Sequence, residues 1–307
     1  MKFKIPKIFI LTLNWNGKNH LEYFIPSALS QNYKNYKIVV VDNGSTDNSV
    51  DFLKKTYPEI KLVCHDSNLG YSKGFNSGIK FCIENSADYI LITNNDVVLQ
   101  NKLLENLLEC MQSHKRVGYV GGKVYMMGKT NILQYAGGRI DDGRGKLRSR
   151  GYNERDTNQY STIEEFDYMD DVCGLVNTKM INEIGSYDED FFYDYEETEW
   201  NYRMRKNNWR IFYTPKAKVS HRVHGSTGNS KLSPIPIEYG TKGEILFNFK
   251  TLNQGDFLYI SLYFLLVQVP IRCVFLISKK STFLIKHYFK GVVKGIIRII
   301  EIKGENE

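Results

Sequence analysis

The chain has 307 residues, 42% of them hydrophobic and 24% charged, with a formal net charge of +7. That is enough apolar material to close a substantial core, which excludes a disordered tail or a fibre. Seven basic residues and no acidic ones lie between Phe257 and Ile300, so the rest of the chain is close to neutral; a protein whose whole body binds nucleic acid is therefore excluded as well.

The opening MKFKIPKIFILTLNWNG runs from its apolar stretch into Asn14, Trp15 and Asn16 instead of a small-residue cleavage site. The N-terminus is therefore expected to belong to the fold and not to a secretory signal. Next come KIFILTL (7–13), YKIVVVD (36–42), IKLVCH (60–65) and DYILITN (88–94). These runs are short, rich in β-branched and aromatic residues and almost continuously apolar, the pattern of strands covered on both faces. Helices are expected between them at 19–30, 46–56 and 71–85, the second with Ser and Thr of STDNSVDF as its N-caps.

This β-α repeat predicts an open, mostly parallel α/β sheet, in which ligands bind beyond the carboxyl ends of the strands. The polar residues that follow each strand should therefore converge: Thr12, Asn14 and Trp15; Asp42, Asn43 and Gly44; Asp66 and Asn68; and Asn94, Asn95 and Asp96. Residues 121–167 are rich in Gly and charge and read as a long excursion with one hairpin, of a length that is usually functional or mobile. A strand and a helix follow in FDYMDDVCGLVNTKMINEIG, then the acidic aromatic SYDEDFFYDYEETEWNYRMRKNNW, RIFYTP and AKVSHRVHGST. Cys64, Cys82, Cys110, Cys173 and Cys273 form no CxxC pair, which suits a reducing compartment and argues against a structural zinc site.

The set VVVDNGSTD (39–47), NLGYSKGFNSGI (68–79), TNNDV (93–97), GSYDEDFFYDYEETEWNYRMRKNNWRI (185–211) and VSH (219–221) resembles family 2 glycosyltransferases of the GT-A fold, and within them the rhamnosyltransferase-like branch. The resemblance covers about residues 7–250. It implies a nucleotide-sugar donor, a divalent cation, Mn²⁺ or Mg²⁺, and inversion at the anomeric carbon.

Carried onto this sequence, the DxD-like motif is Asn94-Asn95-Asp96, with Asp96 as metal ligand and Asn94 and Asn95 beside the donor. Asn and Asp are also favoured in a plain turn after a strand. His221 matches a second metal ligand, with His224 three residues on. In YEETEW, Glu196 and Glu197 match the acidic pair that opens a helix, Glu197 being the base for the acceptor hydroxyl; Glu199 is the alternative, and acids are favoured near a helix N-terminus in any case. Asp170 matches an acid facing donor sugar or acceptor. A carboxylate at Asp42 suits the imide N–H of uracil or thymine, so UDP- or dTDP-sugars are the expected donors. Thr12, Asn14, Trp15 and Asn43 would support base and ribose, and Lys73 the diphosphate.

The tail is the remaining element. FLYISLYFLLVQVPIRCVFLI (257–277) has 17 apolar residues among 21, enough for a span. A straight span followed by Lys279 and Lys280 would put the catalytic domain outside, away from cytoplasmic nucleotide sugars. A hairpin or in-plane element broken near Pro270 is expected instead. Lys286, Lys290, Lys294 and Arg298 then recur every four residues among apolar ones, as in a basic amphipathic helix on an anionic membrane surface. The competing reading docks that helix on the catalytic domain or on a second copy in a homo-oligomer.

The expected organisation is thus a catalytic domain at 1–250 and a helical membrane-association region at 251–307, at the cytoplasmic face of the cell membrane, peripheral or monotopic. The expected reaction adds a sugar, L-rhamnose among the candidates, to a lipid-linked or growing glycan acceptor. Two rivals are a sugar nucleotidyltransferase, which would need a Gly-rich basic loop where LNWNGKNH stands, and a non-catalytic membrane-bound glycan-binding protein.

Overall fold

The computed structural model describes residues 5–141, 146–222 and 232–305. They form two compact units: Asp188–Glu199 cluster with the helices from 232 onward, and the rest of the chain up to 222 forms the other.

The first unit begins with β1 (Ile8–Asn14), α1 (Lys18–Leu29), β2 (Tyr36–Asp42), α2 (Ser49–Thr56), β3 (Lys61–Cys64), α3 (Tyr71–Glu84) and β4 (Tyr89–Thr93). The four strands pair in parallel in the order β3-β2-β1-β4. Ile8 to Leu11, Val39 to Val41 and Ile90 to Ile92 are completely buried. A sheet covered on both faces has no solvent side, which is why these runs are continuously apolar; burial contributes about 1.5–3 kcal/mol for each such side chain. The chain leaves β1 on one side for β2 and β3 and returns on the other for β4, a topological switch point.

The unit continues with β5 (Val97–Leu99), α4 (Leu103–Ser113), β6 (Val117–Met126), β7 (Leu133–Tyr135), β8 (Gly138–Asp141), β9 (Lys146–Ser149), β10 (Glu164–Phe166), β11 (Cys173–Asn177), α5 (Thr178–Ile184), the part of α6 (Glu196–Lys206) from Trp200 onward, and β12 (Arg210–His221). Strand β11 lies antiparallel between β4 and β6, and β12 runs parallel to β6. β10 and β5 pair antiparallel with opposite ends of β12, and β7 pairs antiparallel with β6.

Two local expectations are corrected here. The N-cap position of α2 is held by Asn48 in the left-handed region (φ 63°), without a side-chain cap bond, and not by Ser or Thr, while Asp47 Oδ1 accepts from Ser49 N. The excursion at 121–167 is more ordered than its composition suggests: besides the β8/β9 hairpin it supplies β6, β7 and β10 to the main sheet. Long-range polar pairs hold it. The Lys123 ammonium, 2% exposed, sits 2.9 Å from Asp156, and Arg150 pairs with Glu164 while lying over the rings of Tyr160 and Phe166. Such pairs leave no hydrophobic period to read.

The second unit contains α7 (Pro234–Thr251), α8 (Gln254–Tyr263), a π-helical turn (Phe264–Gln268), α9 (Val269–Ser278) and α10 (Leu284–Glu305), around Ile237, Phe264, Leu276, Leu284, Tyr288 and Val292. The break expected near Pro270 does not occur, and Gln254–Ser278 is one 25-residue helix. In the π-turn just before the proline, Val269 N–H reaches back five residues to Phe264 O. The regular i→i−4 ladder is already interrupted there, so the missing proline N–H removes little. This helix is long and apolar enough to cross a membrane, and it exposes Leu258, Tyr259, Leu265, Leu266, Ile271 and Val274.

The basic stripe of α10 does not face outward as a whole. Lys290 and Lys294 lie 3.3 and 2.5 Å from Glu238 of α7, and Arg298 lies 2.6 Å from Asp190. Poorly exposed carboxylates such as these need counter-charges, and the stripe supplies them. Lys279, Lys280, Lys286 and Lys290 are exposed, as are the apolar residues Phe289, Val293, Ile296, Ile297 and Ile300.

Candidate active site

Strands β1 and β2 end in register, Asn14 opposite Asp42. Asn14 Nδ2 donates to Asp42 Oδ1 at 2.9 Å and to Ser45 Oγ at 3.2 Å, and Asp42 Oδ2 accepts from Ser45 N at 2.9 Å. From beyond β4, Asn95 Nδ2 donates to Asn14 Oδ1 at 2.8 Å. One amide–carboxylate chain therefore links the ends of three adjacent strands at the switch point, with Asn14, Asp42 and Asn95 all buried. Gly17 makes room for it: a Cβ there would stand 2.6 Å from both Asn14 Oδ1 and Asn95 Nδ2.

Asp96 is fully buried, and Arg222 N donates to its backbone carbonyl. The antiparallel register of β5 and β12 places His221 opposite Val97, so the imidazole reaches the aspartate: His221 Nε2 stands 3.1 Å from Asp96 Oδ1. The other ring nitrogen, Nδ1, is 2.8 Å from Gln134 Oε1. The amide oxygen can only accept, so Nδ1 carries a proton toward it and Nε2 is the nitrogen that faces the carboxylate. Among the described residues no group of three or more His, Cys, Asp or Glu side chains converges as a metal cluster.

The other expected residues fall as follows. Asn43 is buried and holds the next loop, with Nδ2 donating to Asn68 Oδ1 and Gly70 O and Oδ1 accepting from Leu69 N. Thr12 is completely buried inside β1, its hydroxyl without a hydrogen-bond partner among the described residues. Trp15 is 47% exposed, and Lys73 is exposed on the first turn of α3. Asn94 N donates to Val172 O, tying the motif to the segment that carries Asp170, whose Oδ1 accepts from Val172 N. Glu196 and Glu197 open α6, with Glu199 also in its first turn, where negative charge is favoured by the helix dipole. His224 lies outside the described residues.

Sequence reasoning missed Asp171, Gln134 and Gly17. Asp171 is buried, accepting from the hydroxyls of Tyr119 (3.0 Å) and Tyr187. Burial, with Asp170 beside it, pushes its carboxyl up to about 7. Only the Asp170-Asp171 doublet signalled it, and a doublet does not say which carboxylate points inward.

The large, mostly parallel sheet, with antiparallel β11 closing the parallel half, is consistent with the GT-A fold. The family profile described as glycosyl transferase family 2 matches residues 8–174, more than half of the chain, and the protein belongs to that family. It is 24% identical over 248 residues to the N-acetylglucosaminyl-diphospho-decaprenol L-rhamnosyltransferase of Mycobacterium tuberculosis, covering 75% of this chain and 80% of that one. It is 26% identical over 180 residues to a low-salt glycan biosynthesis hexosyltransferase of Haloferax volcanii, covering 57% and 55%. Over 227 residues it is 22% identical to the poly-beta-1,6-N-acetyl-D-glucosamine synthase of Staphylococcus epidermidis, covering 70% and 49%.

Proposed function

We propose that this glycosyltransferase moves a sugar, with inversion, from a UDP- or dTDP-activated donor to a lipid-linked or growing surface glycan at the cytoplasmic face of a membrane. L-Rhamnose is the first sugar to test, because the Mycobacterium tuberculosis relative is an L-rhamnosyltransferase acting on a diphospho-decaprenol lipid. The observation that carries the reading is the Asn95–Asn14–Asp42 chain beside the Asp96–His221 pair at the switch point.

Each residue has a task. Asp42 already accepts one internal donor on each oxygen, which fixes its plane; a carboxylate oxygen takes a second donor, and the imide N–H of uracil or thymine supplies one. Asn14, Asn43 and Asn95 hold that edge in place, Trp15 offers a ring to the base, and Lys73 a charge to the diphosphate. Asp96 and His221 are the carboxylate and imidazole that would hold Mg²⁺ or Mn²⁺, their facing atoms 3.1 Å apart. When bound, the cation neutralises the departing diphosphate. Glu197 takes the proton of the acceptor hydroxyl as the oxygen attacks the anomeric carbon and the nucleoside diphosphate leaves. Glu196 and Asp170 complete the acid set.

The test is release of nucleoside diphosphate from UDP-, dTDP- and GDP-sugars by detergent-solubilised protein, with Mn²⁺, Mg²⁺ or EDTA, beside the Asp96→Ala variant. One pyrimidine donor turned over with metal, and lost in Asp96→Ala, is the expected result. Failure to bind any of the nucleotides overturns the donor-site assignment.

A further inference from the structure

The acidic pair Glu196-Glu197 is preceded by two consecutive non-glycine residues in the left-handed region, Asp194 (φ 70°) and Tyr195 (φ 72°). L side chains adopt that conformation only where the surroundings over-determine it. What over-determines it lies in the helical unit to which Asp188–Glu199 belongs.

Three kinds of contact hold the segment. Lys250 of α7 stands 2.5 Å from Asp188 and 2.6 Å from Asp190, and Arg298 of α10 stands 2.6 Å from Asp190. These cations hold the Asp190 carboxyl below its usual range despite burial, and Lys242 donates to the Asp190 carbonyl. Aromatic packing follows the charges: Phe192 stacks on Tyr239, and Tyr195 packs on Phe247. Finally, α7 approaches at a glycine. A Cβ at Gly243 would stand 2.9 Å from Tyr195 Cδ2 and 3.1 Å from the Asp194 carbonyl oxygen.

We infer that Lys250, Arg298 and Gly243 are positioning residues for the general base, so that the C-terminal helices set the geometry of the acid pair in addition to meeting a lipid surface. The inference rests on the proposed role of Glu197. Full activity then requires α7 and α10 in place, and a disturbance of these helices changes turnover while leaving donor recognition, built on β1, β2 and β4, intact.

The experiment compares full-length wild type with Lys250→Met, Arg298→Gln, Arg298→Lys and Gly243→Ala, using dTDP-L-rhamnose and an N-acetylglucosaminyl diphosphate lipid in phosphatidylcholine vesicles. Hydrogen exchange of amides 193–199 is read alongside, because it needs no turnover. Lys250→Met and Arg298→Gln should speed that exchange and lower kcat on the order of tenfold to a hundredfold, with donor KM unchanged and Arg298→Lys recovering most of the loss. Gly243→Ala drives a Cβ against the Tyr195 ring and the Asp194 carbonyl, so it should shift the segment, speed its exchange and lower kcat with donor KM unchanged, at some loss of stability. Unchanged exchange and kcat in all four variants would overturn the inference, as would a parallel loss of donor binding and stability, the mark of a merely structural contact. Glu197→Gln separates the two readings: if it keeps full turnover, the base assignment has failed, whereas the exchange data still decide whether the helices hold the segment.

Discussion

His221 Nε2 lies 3.1 Å from Asp96 Oδ1, while Gln134 Oε1 lies 2.8 Å from the other ring nitrogen. The imidazole is thereby oriented from behind, as a ring nitrogen is when it serves a metal.

If the pair holds Mn²⁺ or Mg²⁺, Gln134→Ala should raise the metal concentration for half-maximal donor turnover about 10- to 100-fold, the usual cost of losing an outer-shell partner. Metal titration of nucleoside diphosphate release checks this. A Gln134→Ala enzyme with an unaltered titration curve would detach the glutamine from metal binding.

The buried Asp171 gives stability a definite pH dependence. Its carboxyl titrates at about 7 in the folded chain and near the ordinary value of 3.8 when unfolded, so the folded state holds the proton more tightly. Stability from this group is full below about pH 4, declines as pH rises toward 7, and is lost above it. Asp171→Asn should remove that slope, so the Tm difference between wild type and variant should change between pH 4 and 7 and level off above. A constant difference across that range would contradict the assignment.

If the C-terminal helices meet an anionic membrane, that contact should depend on some lysines and not on others. Lys294 and Arg298 are occupied by Glu238 and Asp190 and only partly exposed, whereas Lys279, Lys280, Lys286 and Lys290 are exposed, Lys290 despite standing 3.3 Å from Glu238. Replacing Lys279, Lys280 and Lys286 with Gln should weaken binding to anionic vesicles by about 1 kcal/mol per charge, and replacing Lys294 should do much less. Co-sedimentation with neutral and anionic vesicles measures both, and equal losses would restore the outward-facing basic stripe.

The excursion at 121–167 should unfold when its buried ion pair is broken on one side. Asp156 receives Lys123 and the Tyr125 hydroxyl, so Asp156→Ala leaves a buried ammonium and should cost about 3–5 kcal/mol. The double variant Lys123→Met, Asp156→Leu should recover most of it. Thermal unfolding distinguishes the two, and an equal loss in both would show that packing, not charge, holds this region.

The strands β1, β2 and β4 were legible because a strand buried on both faces writes its burial into consecutive residues: Ile8 to Leu11 and Ile90 to Ile92 need nothing distant to explain them. The polar residues after them were legible as site candidates for the same local reason. Less could be read at Pro270, where a π-turn absorbs the proline, or at Lys290 and Lys294, whose four-residue spacing is the same whether the stripe meets lipid or Glu238.

The sequence by itself therefore determined the β-α order, the carboxyl-end cluster Asn14, Asp42, Asn95 and Asp96, and the glycosyltransferase family, since each depends on short-range pattern and motif. Tertiary structure alone decided which of these side chains meet. Asn95 reaches Asn14 across 81 positions, His221 meets Asp96 through the register of β5 and β12, and Arg298 meets Asp190 across 108 positions. A local pattern fixes which face a residue lies on. Only the packing of distant segments brings its partner to that face.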